Sequence, residues 1–243
     1  MVQKMLDSRS VAKSLYGDTD PREIPAYSIK DAAYYLGVHP RTLRSWVKGQ
    51  PYKTKSGERW FAALISEPPE GGLSFMNLLE GHVLTALRQQ RFVSMKDIRA
   101  ALERILKKEP NTRYPLATRH FATIGKKLFL EEAGNHTTPD GQLALGKFLD
   151  VYLKRIEHGA DGLAAKLYPF PRFLRGQANA PRSVVIDPRL AFGRPVLAGT
   201  RIPTNVIAQR LVTGESPEEI AEDYDRNVSE ILEAIRWELA PAA

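Results

Sequence analysis

Cysteine is absent from this 243-residue chain. That absence excludes disulfides and thiolate metal sites. No run of about 18 apolar residues occurs, so the sequence predicts no membrane-spanning helix. The N-terminus, MVQKMLDSRS, lacks the apolar core of a secretory signal, and a cytoplasmic location is expected. The formal glycosylation tripeptide Asn135-His136-Thr137 therefore carries no meaning. No Gly-Lys-Ser/Thr completes a phosphate loop and no Gly-x-Ser-x-Gly occurs. His39, His82, His120, His136 and His158 are scattered, with no His-x-x-x-His pair among them. Glu131, Glu132, His136 and Asp140 gather in what reads as a polar turn, and Asp223 and Asp225 flank Tyr224 on what reads as surface. A metal-dependent nuclease needs three or four converging acids, and no such set assembles. The sequence predicts no enzyme, no metal and no cofactor.

What is present is ordinary in amount and uneven in placement. A hydrophobic share of 43% and a charged share of 26% fit a soluble globular protein. The length allows one large domain or two to three small ones. A net charge of +7 and a pI near 9.5 favour an acidic partner, nucleic acid first. The charge is not spread evenly. From Tyr27 to Phe61 there are seven Lys/Arg against two acids, whereas from Ser183 onward there are six against ten.

The basic stretch holds the clearest local signals. Tyr27 to Lys48 reads YSIKDAAYYLGVHPRTLRSWVK. Ser28 and Asp31 form a capping box, and Ile29, Ala32, Ala33 and Leu36 share one helical face. Gly37 suits the left-handed residue that ends a helix, and Pro40 suits the first turn of the next. Leu43, Trp46 and Val47 point inward. Arg41, Thr42, Arg44, Ser45 and Lys48 remain outside, the arrangement a major-groove reader needs. Lys53, Lys55, Ser56-Gly57 and Arg59 then make a basic loop closing on Trp60 and Phe61, like a wing beside the second helix. Residues Tyr27–Trp46 resemble the MerR-like winged helix-turn-helix pattern "Y-T/S-I-x-x-A-A-x-x-L-G-V-x-x-R-T-L-R-x-W". The resemblance implies DNA binding and a dimer. His39 replaces its usual capping serine.

Further boundaries follow from composition. Residues 1–26 are a polar arm, with a short amphipathic helix over Met5, Leu6, Val11, Ala12, Leu15 and Tyr16. Residues 27–68 are the winged unit, closed by Pro68-Pro69-Glu70-Gly71-Gly72. Residues 69–168 form a middle α+β region. It opens with a helix from Leu73 to Gln90, capped by Ser74, with Phe75, Leu78, Leu79, His82, Val83, Ala86 and Leu87 on its apolar stripe. His82 there reads as a hydrogen-bonded core histidine. A basic helix capped by Ser94 and Asp97 follows to about Lys108. Phe121–Gly125, Lys127–Glu131, Gln142–Leu145, Val151–Glu157 and Leu163–Tyr168 read as strands, the last two around an Asp161-Gly162 hairpin turn. Residues 169–181 are proline-rich, a linker or an extended arm crossing another surface. Residues 182–243 open with a short strand and three helices, capped by Thr204, Ser216 (with Glu219) and Ser229. The fold class expected is α+β, mainly α.

The stretch Gly193–Thr204, GRPVLAGTRIPT, closely resembles the hallmark "G-x-P-x-I/V-x-G-T-R-I/V-P" of a small bacterial domain of unknown function. That domain is typical of VapB-type antitoxins paired with PIN-domain toxins. The resemblance implies an antitoxin and autorepressor without catalytic activity, a dimer or a hetero-oligomer with its toxin. Lys30, Lys48, Lys53, Lys55 and Arg59 would then meet phosphates of operator DNA. Arg41, Thr42, Arg44 and Ser45 would meet base edges, with His39 beside them. Arg194 and Arg201 are the candidates for entering the toxin's acidic pocket. Two other readings fit the same residues: a one-component ligand-sensing regulator with the middle region as sensor, and a scaffold holding proteins together. The missing thiolates exclude thiolate metal sensing.

Overall fold

The computed structural model describes residues 17–55, 57–89, 94–108, 110–127, 130–131 and 139–239. The helix expected over Met5–Tyr16, the Asn135–Thr137 tripeptide, and Glu132 and His136 of the acidic turn lie outside these residues. The fold is α+β and mainly α, with three small two-stranded antiparallel sheets among the described residues. Among the described residues no helix is long and apolar enough to cross a membrane.

Helix α1 (Ile29–Leu36) starts at the capping box. Ser28 Oγ accepts from Asp31 N at 3.1 Å, and the Asp31 carboxylate accepts from Ser28 N. It ends at Gly37 with φ 61°. Helix α2 (Pro40–Lys48) is capped by a histidine in place of a hydroxyl: His39 Nδ1 accepts from Arg41 N at 3.1 Å. Leu43, Trp46 and Val47 are buried beneath α2, as their spacing demands. Strands β1 (Gln50–Thr54) and β2 (Gly57–Phe61) pair antiparallel from Gln50↔Phe61 to Thr54↔Gly57. The chain then returns under α2, where Leu64 N and Ile65 N both donate to Trp46 O.

Helix α3 (Phe75–Gln89) is the hub. Every residue from Phe75 to Leu87 is buried, beyond the single stripe that the periodicity predicts. It packs against α1, against α5 (Pro139–Leu153) and against a 3-10 turn at Pro115–Ala117. Ser74 and Asn77 exchange capping bonds at its start. Helix α4 (Met95–Lys108) begins at the Ser94/Asp97 box and buries Ile98, Ala101, Leu102 and Ile105.

The middle region departs from the strands expected there. Phe121–Gly125 is a π-helical turn. Gln142–Leu145 lies inside α5, which runs on to Leu153. Lys127, Leu130 and Glu131 are helical as well. The reason is visible in α5: Leu145, Leu149, Tyr152 and Leu153 are buried while Leu143 is exposed. A spacing of four, three and one is helical, and a four-residue window of alternation is too short to distinguish the periods. Val151–Leu153 also belong to α5, so strand β3 is only Ile156–His158. It pairs with β4 (Ala164–Leu167) across the expected Asp161-Gly162 turn, with Gly162 at φ 77°.

Residues 169–181 cross the surface of this core. Arg155, itself buried, donates to Ala180 O and Pro181 O and stacks over Phe170 at 4.2 Å, fastening both ends of the crossing. Strand β5 (Val184–Val185) pairs with β6 (Val196–Leu197). Helices α6 (Thr204–Val212), α7 (Pro217–Asp223) and α8 (Val228–Leu239) enclose a second core of Leu197, Ile207, Ile220, Ile231 and Ile235. Ser216 and Glu219 form the capping box expected for α7. Thr204 does not cap α6. Pro203 occupies the cap position, and the Thr204 hydroxyl is buried, bonded to Pro195 O and to Glu238. Nor does Ser229 cap α8, which already starts at Val228; there Glu230 accepts from Asn227 N.

Candidate nucleic-acid interface and the seam behind it

The outward face of α2 follows from its inward one. With Leu43, Trp46 and Val47 committed to the core, Arg41, Arg44 and Lys48 are exposed, and Thr42 and Ser45 are half-buried at the edge. Ser45 Oγ donates back to Thr42 O at 2.8 Å, so its lone pairs, not its proton, face outward. Lys30 on α1 and His39 at the helix start are also exposed. Lys53, Lys55 and Arg59 are exposed along the hairpin, where Lys53 sits opposite Glu58 and Arg59 opposite Tyr52.

Between α2, the hairpin and α4 lies a cleft of about 410 Å³. His39, Arg41, Arg88, Lys96 and Arg99 line it, and among the described residues no carboxylate does. Two of these cations are held by aromatic rings. Arg88 lies over Trp46 at 6.0 Å, and Arg99 lies over Phe61 at 4.9 Å while donating to Ala62 O. Phe61 in turn stacks on Tyr52 at 3.8 Å across the hairpin. Burial holds the Arg99 guanidinium below its usual value. Arg88 escapes a reading of the sequence because it lies in the last turn of a helix whose apolar stripe dominates the pattern.

Behind α1, residues far apart in sequence meet. Buried Tyr27 donates its hydroxyl to Gly193 O at 2.9 Å. The Tyr34 hydroxyl lies 2.8 Å from Trp237 O and 3.0 Å from Glu238 O at the end of α8. Tyr35 stacks on Trp237 at 6.1 Å. From the proline-rich crossing, Arg172 lies over the Tyr34 ring at 4.0 Å, and Arg175 donates to Gly37 O at 2.7 Å. The turn between α1 and α2 is thus held from the C-terminal half. Desolvation, with the charges of Asp31 and Glu238, pushes the Tyr35 hydroxyl up from the usual tyrosine value.

Arg194 and Arg201 are both exposed but are not brought together. They lie at opposite ends of a hairpin closed by the Val196–Pro203 bridge and the Leu197–Ile202 hydrogen bond. Arg194, at the base, lines a cleft of about 310 Å³ shared with Tyr27, Asp31 and Tyr35 of the first helical unit. Arg201 sits by the tip, beside Thr200, whose hydroxyl bonds Leu197 O. The Asp223 carboxylate pairs with Arg210. Among the described residues no group of three or more His, Asp or Glu is placed to hold a metal ion.

Residues 184–237 match a family described as a protein of unknown function, DUF433. The chain is 27% identical over 235 residues to a Mycobacterium tuberculosis protein named Putative antitoxin VapB45, covering 88% of this chain and 93% of that one. It is 27% identical over 227 residues to Uncharacterized protein Rv2308 of the same organism, covering 89% and 90% respectively. The crystal structure of Rv2018 from Mycobacterium tuberculosis is similar with a TM-score of 0.62 at 25% identity, covering 87% of this chain and 98% of that one.

Proposed function

We propose that this chain is the antitoxin of a type II toxin–antitoxin pair. In this reading its basic end binds operator DNA and represses its own transcription, and its C-terminal half neutralises a VapC-like PIN-domain ribonuclease. The chain itself carries no catalytic role. The observation that carries the reading is the uncovered basic face of α2 and the hairpin. Arg41, Arg44, Lys48, Lys53, Lys55 and Arg59 all remain exposed, while the C-terminal half packs on α1 instead. The likeness to a relative named as an antitoxin, over most of both chains, supports the second half.

A dimer would place two α2 helices in successive major grooves of an inverted repeat. Arg41, Thr42, Arg44 and Ser45 then meet base edges; Lys30, Lys48, Lys53, Lys55 and Arg59 meet phosphates, with His39 at the helix start beside them. With ~6–10 phosphate contacts, affinity falls ~10³–10⁵-fold between 50 and 200 mM salt. In the C-terminal half, Arg194 and Arg201 are the cations offered to the acidic pocket of the ribonuclease. The test is a protection footprint on the chain's own promoter, repeated with Arg44→Ala. A symmetric footprint that Arg44→Ala abolishes supports the reading. An unchanged footprint removes α2 from the interface.

A further inference from the structure

Helix α2 has two polar flanks. Arg44 and Lys48, four residues apart, stand on the outward one. Arg41, Thr42 and Ser45 turn toward α4 and line the cleft of about 410 Å³, which Arg44 and Lys48 do not reach. The opposite wall belongs to neither the helix-turn-helix nor the hairpin. Arg88 comes from the last turn of α3, and Lys96 and Arg99 from the start of α4.

The cations of this cleft lack counter-ions. Elsewhere arginines carry their own: Arg22 has Asp20 and Asp161, Arg113 has Glu23, and Arg210 has Glu215 and Asp223. Arg41, Arg88, Lys96 and Arg99 line the cleft, and none of them makes an ion pair with a described residue. Asp97, next to Lys96, is turned back onto Ser94, whose N–H and hydroxyl both donate to it. Glu103, one turn along α4, acts on Arg99 only through its charge. Two of the four cations are held in place by rings, Arg88 over Trp46 and Arg99 over Phe61. Such guanidiniums lose little freedom when an anion arrives. Like charges gathered without an acid repel one another. An anion relieves that repulsion and accepts from their donors.

The chemistry of the occupant follows. Trp46 is buried with Arg88 above it, and Phe61 lies between Arg99 and Tyr52, so neither ring is open to stack a base. Recognition falls to charge and hydrogen bonds, with Thr42 and Gln50 adding neutral polar groups. The volume is within the range of small-molecule sites, roughly 300–1,000 Å³. A DNA phosphodiester carries one charge, and its neighbours are spread along the strand. Four cations around one cleft suit several charges on one small group.

We propose that the cleft binds a small ligand bearing two or more linked phosphates, held by Arg88, Lys96 and Arg99 and by Arg41, which the DNA-facing surface shares. The sharing makes the two occupants exclusive. A polyphosphate beside Arg41, Thr42 and Ser45 withdraws these side chains from base edges and sets negative charge against the DNA backbone. The site stands on the cleft alone; the exclusion rests on the reading of α2 as a DNA-binding helix.

The probe is inorganic pyrophosphate, added to the full chain without DNA and followed by calorimetry and thermal melts. The melting temperature rises with pyrophosphate and not with potassium chloride of equal ionic strength. Arg88→Gln and Lys96→Gln each weaken pyrophosphate binding about tenfold or more, the loss of a charged hydrogen bond. Both side chains are exposed, so neither change unfolds the chain. Lys147→Gln, at an exposed position of α5, stays within about twofold. With operator DNA present, pyrophosphate releases it from the wild type but not from Arg88→Gln/Lys96→Gln. An equal response to chloride overturns the site, and so does wild-type pyrophosphate affinity in the double variant. A fall of about tenfold in the double variant's operator affinity, with no pyrophosphate bound by the wild type, also overturns it and gives the cleft to the DNA backbone. Pyrophosphate binding by a wild-type chain that ignores its promoter upholds the site and removes the DNA reading instead.

Discussion

Glu80 is a carboxylic acid held in its neutral form at the centre of the fold, and Glu80→Gln measures the consequence. The side chain is fully buried on α3. Its Oε2 accepts from Ser66 N at 2.8 Å, and its Oε1 lies 3.0 Å from Ser66 Oγ. Ser66 Oγ also lies 2.6 Å from Arg113 O. A hydroxyl has one proton, and a carbonyl can only accept it. The Ser66 proton therefore goes to Arg113 O, and the bond between Ser66 Oγ and Oε1 requires a proton on Glu80. Burial agrees, pushing the acid up to about 8. The folded chain thus keeps a proton that the unfolded chain releases above 4.5, so stability falls as pH rises between about 4.5 and 8. At about 1.4 kcal/mol per pH unit the loss reaches on the order of 3 kcal/mol by pH 7. Glutamine reproduces the neutral acid, donating to Ser66 Oγ and accepting from Ser66 N. Urea unfolding at pH 5, 6, 7 and 8 should give Glu80→Gln a growing advantage, ~3 kcal/mol by neutral pH. For a chain of this size that is ~6–12 °C in Tm. Parallel pH profiles for wild type and Glu80→Gln would refute both the proton assignment and the hydrogen-bond accounting behind it.

His82, two residues along α3, has the opposite sign. Its Nε2 lies 3.2 Å from Tyr152 O, and burial pushes it down to about 4, so the folded chain keeps it neutral while the unfolded chain protonates below about 6.5. Stability is then lost as pH falls from 6.5 to 4, a limb that Glu80 masks down to 4.5; it should emerge in Glu80→Gln and flatten when His82→Leu is added. Arg44→Ala should weaken operator binding by ~1–3 kcal/mol with an unchanged melting curve, while Lys55→Ala should lower the slope of log affinity against log salt by about one across all sequences. At Gly37, with φ 61°, a Cβ would fall 1.4 Å from Arg175 Nη2, so Gly37→Ala should expel Arg175 and cost ~1–2 kcal/mol; in an Arg175→Ala background only the backbone cost of about 1 kcal/mol should remain. A double-mutant cycle in urea reads the difference, and strictly additive losses would argue against the contact.

The elements most legible in the sequence are those whose signals are local. Ser28/Asp31, Gly37, Pro40 and Ser216/Glu219 lie within a turn of the helices they start or stop, and the structure uses each as its chemistry predicts. The spacing of Leu43, Trp46 and Val47 is enough to orient α2. Where the deciding contacts are distant, the reading fails or is silent. Phe121–Gly125 and Gln142–Leu145 look alternating over a few residues, yet both are helical; in α5 the buried residues Leu145, Leu149, Tyr152 and Leu153 share the face turned to the core while Leu143 stays exposed. Glu80 is indistinguishable in sequence from a solvated helix glutamate; only the return of Ser66 and Pro115–Ala117 onto α3 buries it. The seam is equally invisible, since Tyr34 and Trp237 stand 203 residues apart. Arg194 and Arg201 look equivalent within one motif, and only the fold separates the base of the hairpin from its tip.

RNA cleavage under titration tests whether the chain proposed to bind its own operator also silences a ribonuclease. The PIN-fold ribonuclease from the neighbouring reading frame is held at fixed concentration with a labelled RNA while the full chain is added. Cleavage should end near stoichiometric addition and return with Arg194→Ala. Undiminished cleavage in excess chain, with the promoter still protected, would contradict it and leave a transcription regulator without a toxin.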